Sequence, residues 1–253
     1  METADNHTIQ TSSHMNRHAL ITGASRGIGA AAAELFAANG YALTLTCDRS
    51  MDQLEQLSAR LCTQYSISCT PVQADMSVEK DVLRVFSLID RLDVLVNNAG
   101  ISYVGLLNDM TFDDWHRVMG VNLDSVFLTS RSAIPLMLRE HAGRIINVSS
   151  VWGNVGASME AAYSASKGGM NALTKALAKE LAPSGIQVNA VVCGVIDTSM
   201  NACFSPDELD ALCEKIPADR LGRPEEAARL IFQLTEAPDY LTGQIITLDG
   251  GFT

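Results

Sequence analysis

Short apolar runs recur along the chain and alternate with longer stretches whose apolar residues return every three or four positions. The runs are HALIT (18–22), YALTLTC (41–47), SCTPVQA (68–74), DVLVNN (93–98), RIINVSS (144–150), QVNAVVC (187–193) and QIITLD (244–249). Their length and their β-branched content predict strands. The stretches between them predict helices over 27–39, 51–64 and 78–90, two within 111–140, one over 161–182 and one over 224–236. The strands do not alternate apolar with polar residues. Both faces are therefore expected to be buried, as in a parallel sheet with helices on each side. Right-handed crossovers turn such a chain into one doubly wound α/β sheet of the Rossmann-like kind. Segment 198–216 breaks the rhythm. It carries Ser205-Pro206, acidic residues and two cysteines, and reads as a lid over a cleft.

A length of 253 residues suits a single catalytic domain, placed here at 16–253. Residues 1–15 are polar and lack the apolar stretch of a signal peptide, so they read as a disordered tail or an expression scar, with Met15 a candidate start. The net charge of −11 repels phosphate backbones and anionic lipid, which argues against nucleic-acid and membrane partners. No run approaches the ~20 apolar residues of a membrane span. An anionic cofactor must then be held by local features rather than by the overall field. The six cysteines, at 47, 62, 69, 193, 203 and 213, form no C-x-x-C pair and no cluster with histidine. No metal site is expected, and the thiols read as free ones in a reducing cytoplasm.

Two features carry chemistry. The first is Thr22-Gly23-Ala24-Ser25-Arg26-Gly27-Ile28-Gly29, between the first strand and the first helix. Gly23 permits a sharp exit, Gly27 lets the backbone approach a pyrophosphate, and Gly29 lets the helix pack near the strand. The helix start then offers free N–H groups and a positive dipole end to phosphates. A purely structural turn is the alternative. The second feature is Tyr163 and Lys167, four apart on a helical stretch and so on one face. An ammonium beside a phenol, near a helix N-terminus, is expected to lower the tyrosine pKa and suit it to proton transfer with an alcohol or carbonyl oxygen. Taken alone, this spacing also occurs on solvated helix faces. Ser150 ends the fifth strand, where a sheet of this kind places its chemistry, and its hydroxyl could hold a substrate carbonyl against Tyr163. Ser149 reads as a packing neighbour. By itself Asn122 reads as a polar residue interrupting a helix.

With these motifs the chain resembles the short-chain dehydrogenase/reductase family over residues 17 to 253. The glycine spacing is G-x-x-x-G-x-G. Asn97-Asn98-Ala99-Gly100 resembles the family's N-N-A-G after the fourth strand, although both asparagines could simply tie down a loop. Asp75-Met76 matches its adenine contact, and Leu241-Thr242-Gly243 with Asp249-Gly250-Gly251 its last strand. The resemblance implies an NAD(P)H-dependent oxidoreductase acting between carbonyl and alcohol. It selects Ser150 over Ser149, adds Asn122 as the catalytic asparagine that organises a water relay, and gives Lys167 the ribose hydroxyls. It also implies nicotinamide contacts from Gly194, Ile196 and Thr198. One departure stands out: Cys193-Gly194 replaces the family's Pro-Gly, which removes a rigid ring from the loop.

The position that selects NAD in this family aligns with Cys47. Asp48 could take over that role, while Arg26 and Arg49 could grip a 2′-phosphate. NADP(H) is the favoured cofactor and NAD(H) the alternative. Residues 198–222 resemble the β-ketoacyl-[acyl-carrier-protein] reductase branch, which implies a 3-oxoacyl thioester substrate and an acyl carrier protein as partner. The carrier positions align with His141 and Ser184, neither a fixed cation, with Arg139, Arg144 and Lys179 as substitutes. A general ketone reductase or secondary-alcohol dehydrogenase shares the same frame. A homotetramer is implied, pairing helices from 111–140 and 161–182. A nucleotide-binding module without catalysis has no use for Asn122, Ser150, Tyr163 and Lys167 together. A nucleotide-sugar epimerase or dehydratase usually carries an added C-terminal substrate domain, and the last strand here is Gln244–Asp249.

Overall fold

A computed structural model describes residues 17–202 and 204–253. The expected tail at 1–15 and the expected free thiol of Cys203 lie outside the described residues. Seven strands form one parallel sheet: β1 (His18–Ile21), β2 (Ala42–Cys47), β3 (Cys69–Gln73), β4 (Val94–Asn97), β5 (Gly143–Ser150), β6 (Ile186–Cys193) and β7 (Ile245–Leu248). Their order is β3-β2-β1-β4-β5-β6-β7. The chain winds outward from β1 in one direction and then from β4 in the other. The crevice at that reversal is where a doubly wound sheet receives its ligand.

The strands are apolar on both faces, as their unbroken runs predict. Ala19 and Ile21 point into one core with Phe36, Leu54 and Ile231, while Leu20 points into the other with Val85, Met137 and Leu181. The first core is covered by α1 (Gly27–Ala38), α2 (Met51–Tyr65) and α9 (Pro224–Thr235), and the second by α3 (Glu79–Phe86), α5 (Ser125–Glu140) and α7 (Ala161–Leu181). Among the described residues no helix is long and apolar enough to cross a membrane.

Some elements differ from expectation. Helix α3 stops at Phe86, short of residue 90, where the Ser87 hydroxyl donates to the Arg84 carbonyl at 2.7 Å and the chain turns. The two helices expected within 111–140 are α4 (Phe112–Met119) and α5, joined by a π-helical turn at Gly120–Asp124. A short helix α6 (Trp152–Val155) was not anticipated. The 198–216 segment holds a one-turn piece at Ser199–Asn201 and α8 (Pro206–Cys213), whose start is fixed by reciprocal bonds between Ser205 and Glu208.

One cofactor-contact expectation fails here. Asn97 is buried within the layer between sheet and helices. Its amide donates to Asn147 Oδ1 at 2.9 Å and accepts from Thr129 Oγ1 at 2.7 Å, and Asn147 in turn donates to Thr174 at 2.8 Å. Asn97 is still part of β4, so strand alternation turns its side chain away from the crevice that Asn98 reaches. The chain of bonds clips β4 and β5 to α5 and α7. We expect Asn97→Ala to destabilise the protein by about 1–3 kcal/mol, because Asn147 loses a buried donor. Urea unfolding measures this; a loss under ~0.5 kcal/mol would contradict the clip.

Candidate active site

Thr22 anchors the turn that begins the site. Its hydroxyl accepts from the N–H groups of Asn98 and Ala99, both at 3.0 Å, which stitches the end of β1 to the end of β4. Asn98 adds bonds from Nδ2 to the carbonyls of Thr22 and Gly23. Gly23 and Gly27 sit at φ +65° and +57°, a region that favours glycine. A Cβ on Gly29 would lie 2.4 Å from the Gly23 carbonyl oxygen, so Gly29 serves the packing of α1 against the turn. Ala24 is fully buried and donates its N–H to the Thr46 carbonyl. Ala24, like Asn97, therefore stands outside the cleft lining, contrary to its expected cofactor contact, because its N–H is spent on Thr46; Gly29 packs against the turn while its N–H belongs to the uncapped first turn of α1.

The cleft itself encloses about 810 Å³ above the sheet reversal. Ser25, Arg26, Gly27 and Ile28 line it beside the start of α1. That start has no side-chain cap and no acid in its first turn, which leaves N–H donors and a positive dipole end for an anionic group. Thr198 leans over Gly27, with Cγ2 only 3.3 Å from where a Cβ would stand. The turn thus fits the pyrophosphate of a dinucleotide, with the loop after β6 as its roof. Asp75 and Met76 line the same cleft, as do Ala99 and Gly100. The Asp75 carboxylate accepts from the Ser77 N–H and hydroxyl.

At the end of β2, Cys47 is buried and its thiol is pushed above its usual pKa by that burial. The carboxylate of Asp48 is ion-paired with Arg49 at 3.2 Å, both side chains largely exposed. Arg26 reaches Ser50 Oγ at 3.5 Å. All four of these polar residues border the cleft. Across the sheet, a Cβ on Gly194 would lie 2.7 Å from Cα and Cβ of Asp249, so the packing of the segment after β7 requires this glycine. Ile196 bridges to Gly222 and, with Thr198, completes that wall.

The four expected catalytic residues converge. The Tyr163 phenol stands beside the Ser150 hydroxyl, whose oxygen accepts the Trp152 N–H at 3.3 Å. Lys167 Nζ donates to the Val148 carbonyl at 2.8 Å and lies 5.6 Å from the centre of the Tyr163 ring. Asn122 sits in the π-helical turn, fully buried, and exchanges bonds with both main-chain polar groups of Ile101. Its Nδ2 also donates to Ser166 Oγ at 3.1 Å. A Cβ on Gly100 would stand 3.4 Å from Asn122 Oδ1 and 3.5 Å from Lys167 Nζ, so this glycine keeps open the space between them. Ser149 bonds the Lys167 carbonyl and packs, as read from the sequence.

Sequence reasoning missed several neighbours. Gly153 of α6 is one: a Cβ there would meet the Lys167 carbonyl carbon at 2.7 Å, so it lets α6 press on α7 behind the lysine. Ser102, Trp152 and Glu160 also line the cleft, and none stands in a motif that would have flagged it.

The electrostatics correct one expectation. Tyr163 is not tuned downward by Lys167. Burial raises its pKa, the Ser150 hydrogen bond opposes that rise, and Cys193 and Glu160 add to it. Burial of the phenol outweighs a lysine whose ammonium is aimed at the Val148 carbonyl. Lys167 itself is lowered to about 8 by burial, with Cys193 acting the other way. The Cys193 thiol is pushed up to about 12 by burial, which makes it a neutral, unreactive group at ordinary pH.

A stability signature follows from Lys167. Its pKa is about 8 folded against an ordinary value of 10.5. Below pH 8 the charge is present in both states and the cost of burying it is fully felt. Between 8 and 10.5 the unfolded chain holds more protons, so this cost is relieved as pH rises. Relative to Lys167→Met, the wild type should gain about 1–2 kcal/mol between pH 8 and 9.5. Urea unfolding of both proteins across that range checks it, and parallel pH dependences would refute it.

Comparison with known proteins places this geometry. The family model for short chain dehydrogenases matches residues 17–209. An uncharacterized oxidoreductase of Bacillus subtilis, YmfI, is 39% identical over 240 residues, covering 94% of this chain and 99% of the relative. The 3-oxoacyl-[acyl-carrier-protein] reductase FabG of Aquifex aeolicus is 37% identical over 237 residues, covering 92% and 95%. The crystal structure of a candidate gluconate dehydrogenase from Agrobacterium tumefaciens superposes with a TM-score of 0.89 at 33% identity, covering 94% of this chain and 97% of that one. The chain belongs to the short-chain dehydrogenase family and is an oxidoreductase that acts on CH–OH and C=O groups with a nicotinamide cofactor.

Proposed function

We propose that this protein reduces the ketone of a 3-oxoacyl thioester with NADPH, in one catalytic domain spanning 16–253. The observation that carries the chemistry is the convergence of three buried side chains, the Tyr163 phenol beside Ser150 with Lys167 Nζ 5.6 Å from the centre of the tyrosine ring. When bound, the nicotinamide supplies the hydride to the carbonyl carbon. Tyr163, held protonated by burial, donates its proton to the carbonyl oxygen. Ser150 hydrogen-bonds that oxygen and orients it. Lys167, close to half-protonated near pH 8, returns a proton toward Tyr163 and would hold the cofactor's ribose hydroxyls. Asn122 fixes the Ile101 loop and Ser166, and the second lone pair of its Oδ1 is left for a relay water beside Lys167. Tyr163→Phe should lower turnover about 10²–10⁴-fold while cofactor affinity stays near normal. NADPH oxidation with a 3-oxoacyl thioester, and cofactor titration by fluorescence, test both halves. Near-normal turnover would end this mechanism.

The substrate class rests on relatives named as 3-oxoacyl-[acyl-carrier-protein] reductases at 37–39% identity. Apolar side chains of Val104, Met200, Phe204 and Leu212 along the cleft suit an acyl chain. A carrier protein as partner has less support. Of the cations proposed to receive it, Arg144 is drawn into Gln187 and Asp239, and Arg139 donates to the Asp90 carbonyl. This favours, as a second reading, a reductase of small ketones and free thioesters. Exposed Phe112, Phe127 and Leu138 on α4 and α5 support a homotetramer built on those helices. The unpaired state of the described cysteines suits the reducing cytoplasm.

For the cofactor, the neutral Cys47 removes the family's ribose-binding acid, and Arg49 neutralises Asp48. Arg26 is then the cation left for a 2′-phosphate, and the exposed Arg49 joins it by exchanging the Asp48 carboxylate for the phosphate. NADPH should give the higher kcat/KM. Arg49→Ala should raise KM for NADPH about tenfold or more and change KM for NADH little, as expected when a charged hydrogen bond of about 1.5–3 kcal/mol is lost. Steady-state kinetics with both cofactors measure this. A clear wild-type preference for NADH, eroded by Asp48→Ala, would assign the site to Asp48 instead.

A further inference from the structure

The proposed reaction makes no use of one carboxylate in the cleft. Glu160 lies three residues before Tyr163, at the start of α7, yet its side chain does not cap that helix. It reaches across the cleft wall, where the Ser102 hydroxyl donates to Glu160 Oε1 at 2.6 Å. Both residues line the cleft. The loops that carry them are tied a second time, by the Gly105 N–H donating to the Met159 carbonyl at 2.8 Å. Met159 holds φ +65°, a conformation a non-glycine residue adopts only when its surroundings enforce it. The backbone is thus strained at the residue that delivers Glu160 to the wall. The Glu160 charge also acts on the phenol, since it is among the groups that raise the Tyr163 pKa.

We propose that Glu160, braced by Ser102, is a specificity-determining residue that selects uncharged carbonyl substrates over carboxylate-bearing ones. The inference rests on the assignment of Tyr163 as the group that meets the reacting oxygen. A 3-oxo ester or thioester and the corresponding 3-oxo acid carry the same ketone and differ next to it, neutral in one case and anionic in the other. A carboxylate fixed by Ser102 in the wall of the cleft that Tyr163 lines repels the second and admits the first. One oxygen of Glu160 is engaged by Ser102, and the other remains to accept a hydrogen bond from a substrate hydroxyl or amide. His116 and Arg117, on α4, border the same cleft and would pull anions the opposite way, so the two walls make opposite demands.

The test compares ethyl 3-oxobutanoate with 3-oxobutanoate as substrates for wild type, Glu160→Gln and Ser102→Ala, with the fold of each variant checked by circular dichroism. The wild type should favour the ester by more than about tenfold in kcat/KM. Glu160→Gln should cut that ratio about tenfold, mainly through a lower KM for the acid, as expected when a like charge is removed. Ser102→Ala keeps the charge but frees it, and should cut the ratio less. A ratio unchanged within about twofold in Glu160→Gln, or a wild type that prefers the acid, overturns the proposal. Reduction of the esters without reduction of carrier-bound thioesters would leave charge selection standing and remove the substrate assignment. Retained turnover in Tyr163→Phe would remove the premise on which both rest.

Discussion

Burying one ammonium shapes this site. Lys167 sits at the carboxyl ends of β5 and β6 with its charge out of water, and a buried cation is costly unless polar groups meet it. The Val148 carbonyl takes one of its three protons, and the face of the Tyr163 ring lies within range of the charge. Other constraints follow from keeping that lysine in place. Gly153 must lack a side chain for α6 to close behind it, and Gly100 must lack one for the space in front to stay open. The π-helical turn at 120–124 inserts Asn122 beside that space. Such turns cost helix regularity and recur where a side chain must be re-aimed for function.

Much of this was legible in the sequence because it depends on spacing along single elements. A four-residue step on a helix puts Tyr163 and Lys167 on one face wherever that helix lies. Glycines at 23, 27 and 29 declare a turn that needs left-handed backbone at the first two and the absence of a side chain at the third, and unbroken apolar runs declare strands covered on both sides. What was hidden depends on how elements meet. Asn97 follows the same motif as Asn98 but belongs to the strand, and strand parity sends it to Thr129 and Asn147. The direction of the Tyr163 shift depends on burial, which no local pattern states. Arg144, a candidate carrier-facing cation by sequence, is paired instead with Asp239, 95 positions away. Glu160 matters through Ser102, 58 positions earlier, and no periodicity links the two.

The adenosine end shows the same limit. Residues 47–49 lie where a strand ends, so alternation no longer says which side chain faces inward. The fold resolves part of this: Cys47 turns into the core and takes the place of an acid with a neutral thiol, while Asp48 and Arg49 compensate each other outside. Local charge here runs against an acidic whole. A small pair of arginines can define an anion site because field strength at a few ångströms exceeds that of distant charges screened by salt.

The packing of Gly194 against Asp249 has a consequence for the order in which the protein becomes competent. The Gly194 N–H donates to the Leu248 carbonyl, and Asp249 gathers the N–H groups of Gly251 and Thr253 while pressing on Gly194. A nascent chain released only as far as residue 244 already carries all four of the residues assigned to chemistry. It lacks the strand that supports the loop over the cofactor. Because chains are made from the N-terminus, the residues that line the cleft are synthesised before the strand that braces the loop at Gly194. Pairing of β7 with β6 is thus the step that sets the Gly194 loop in its final position over the cleft.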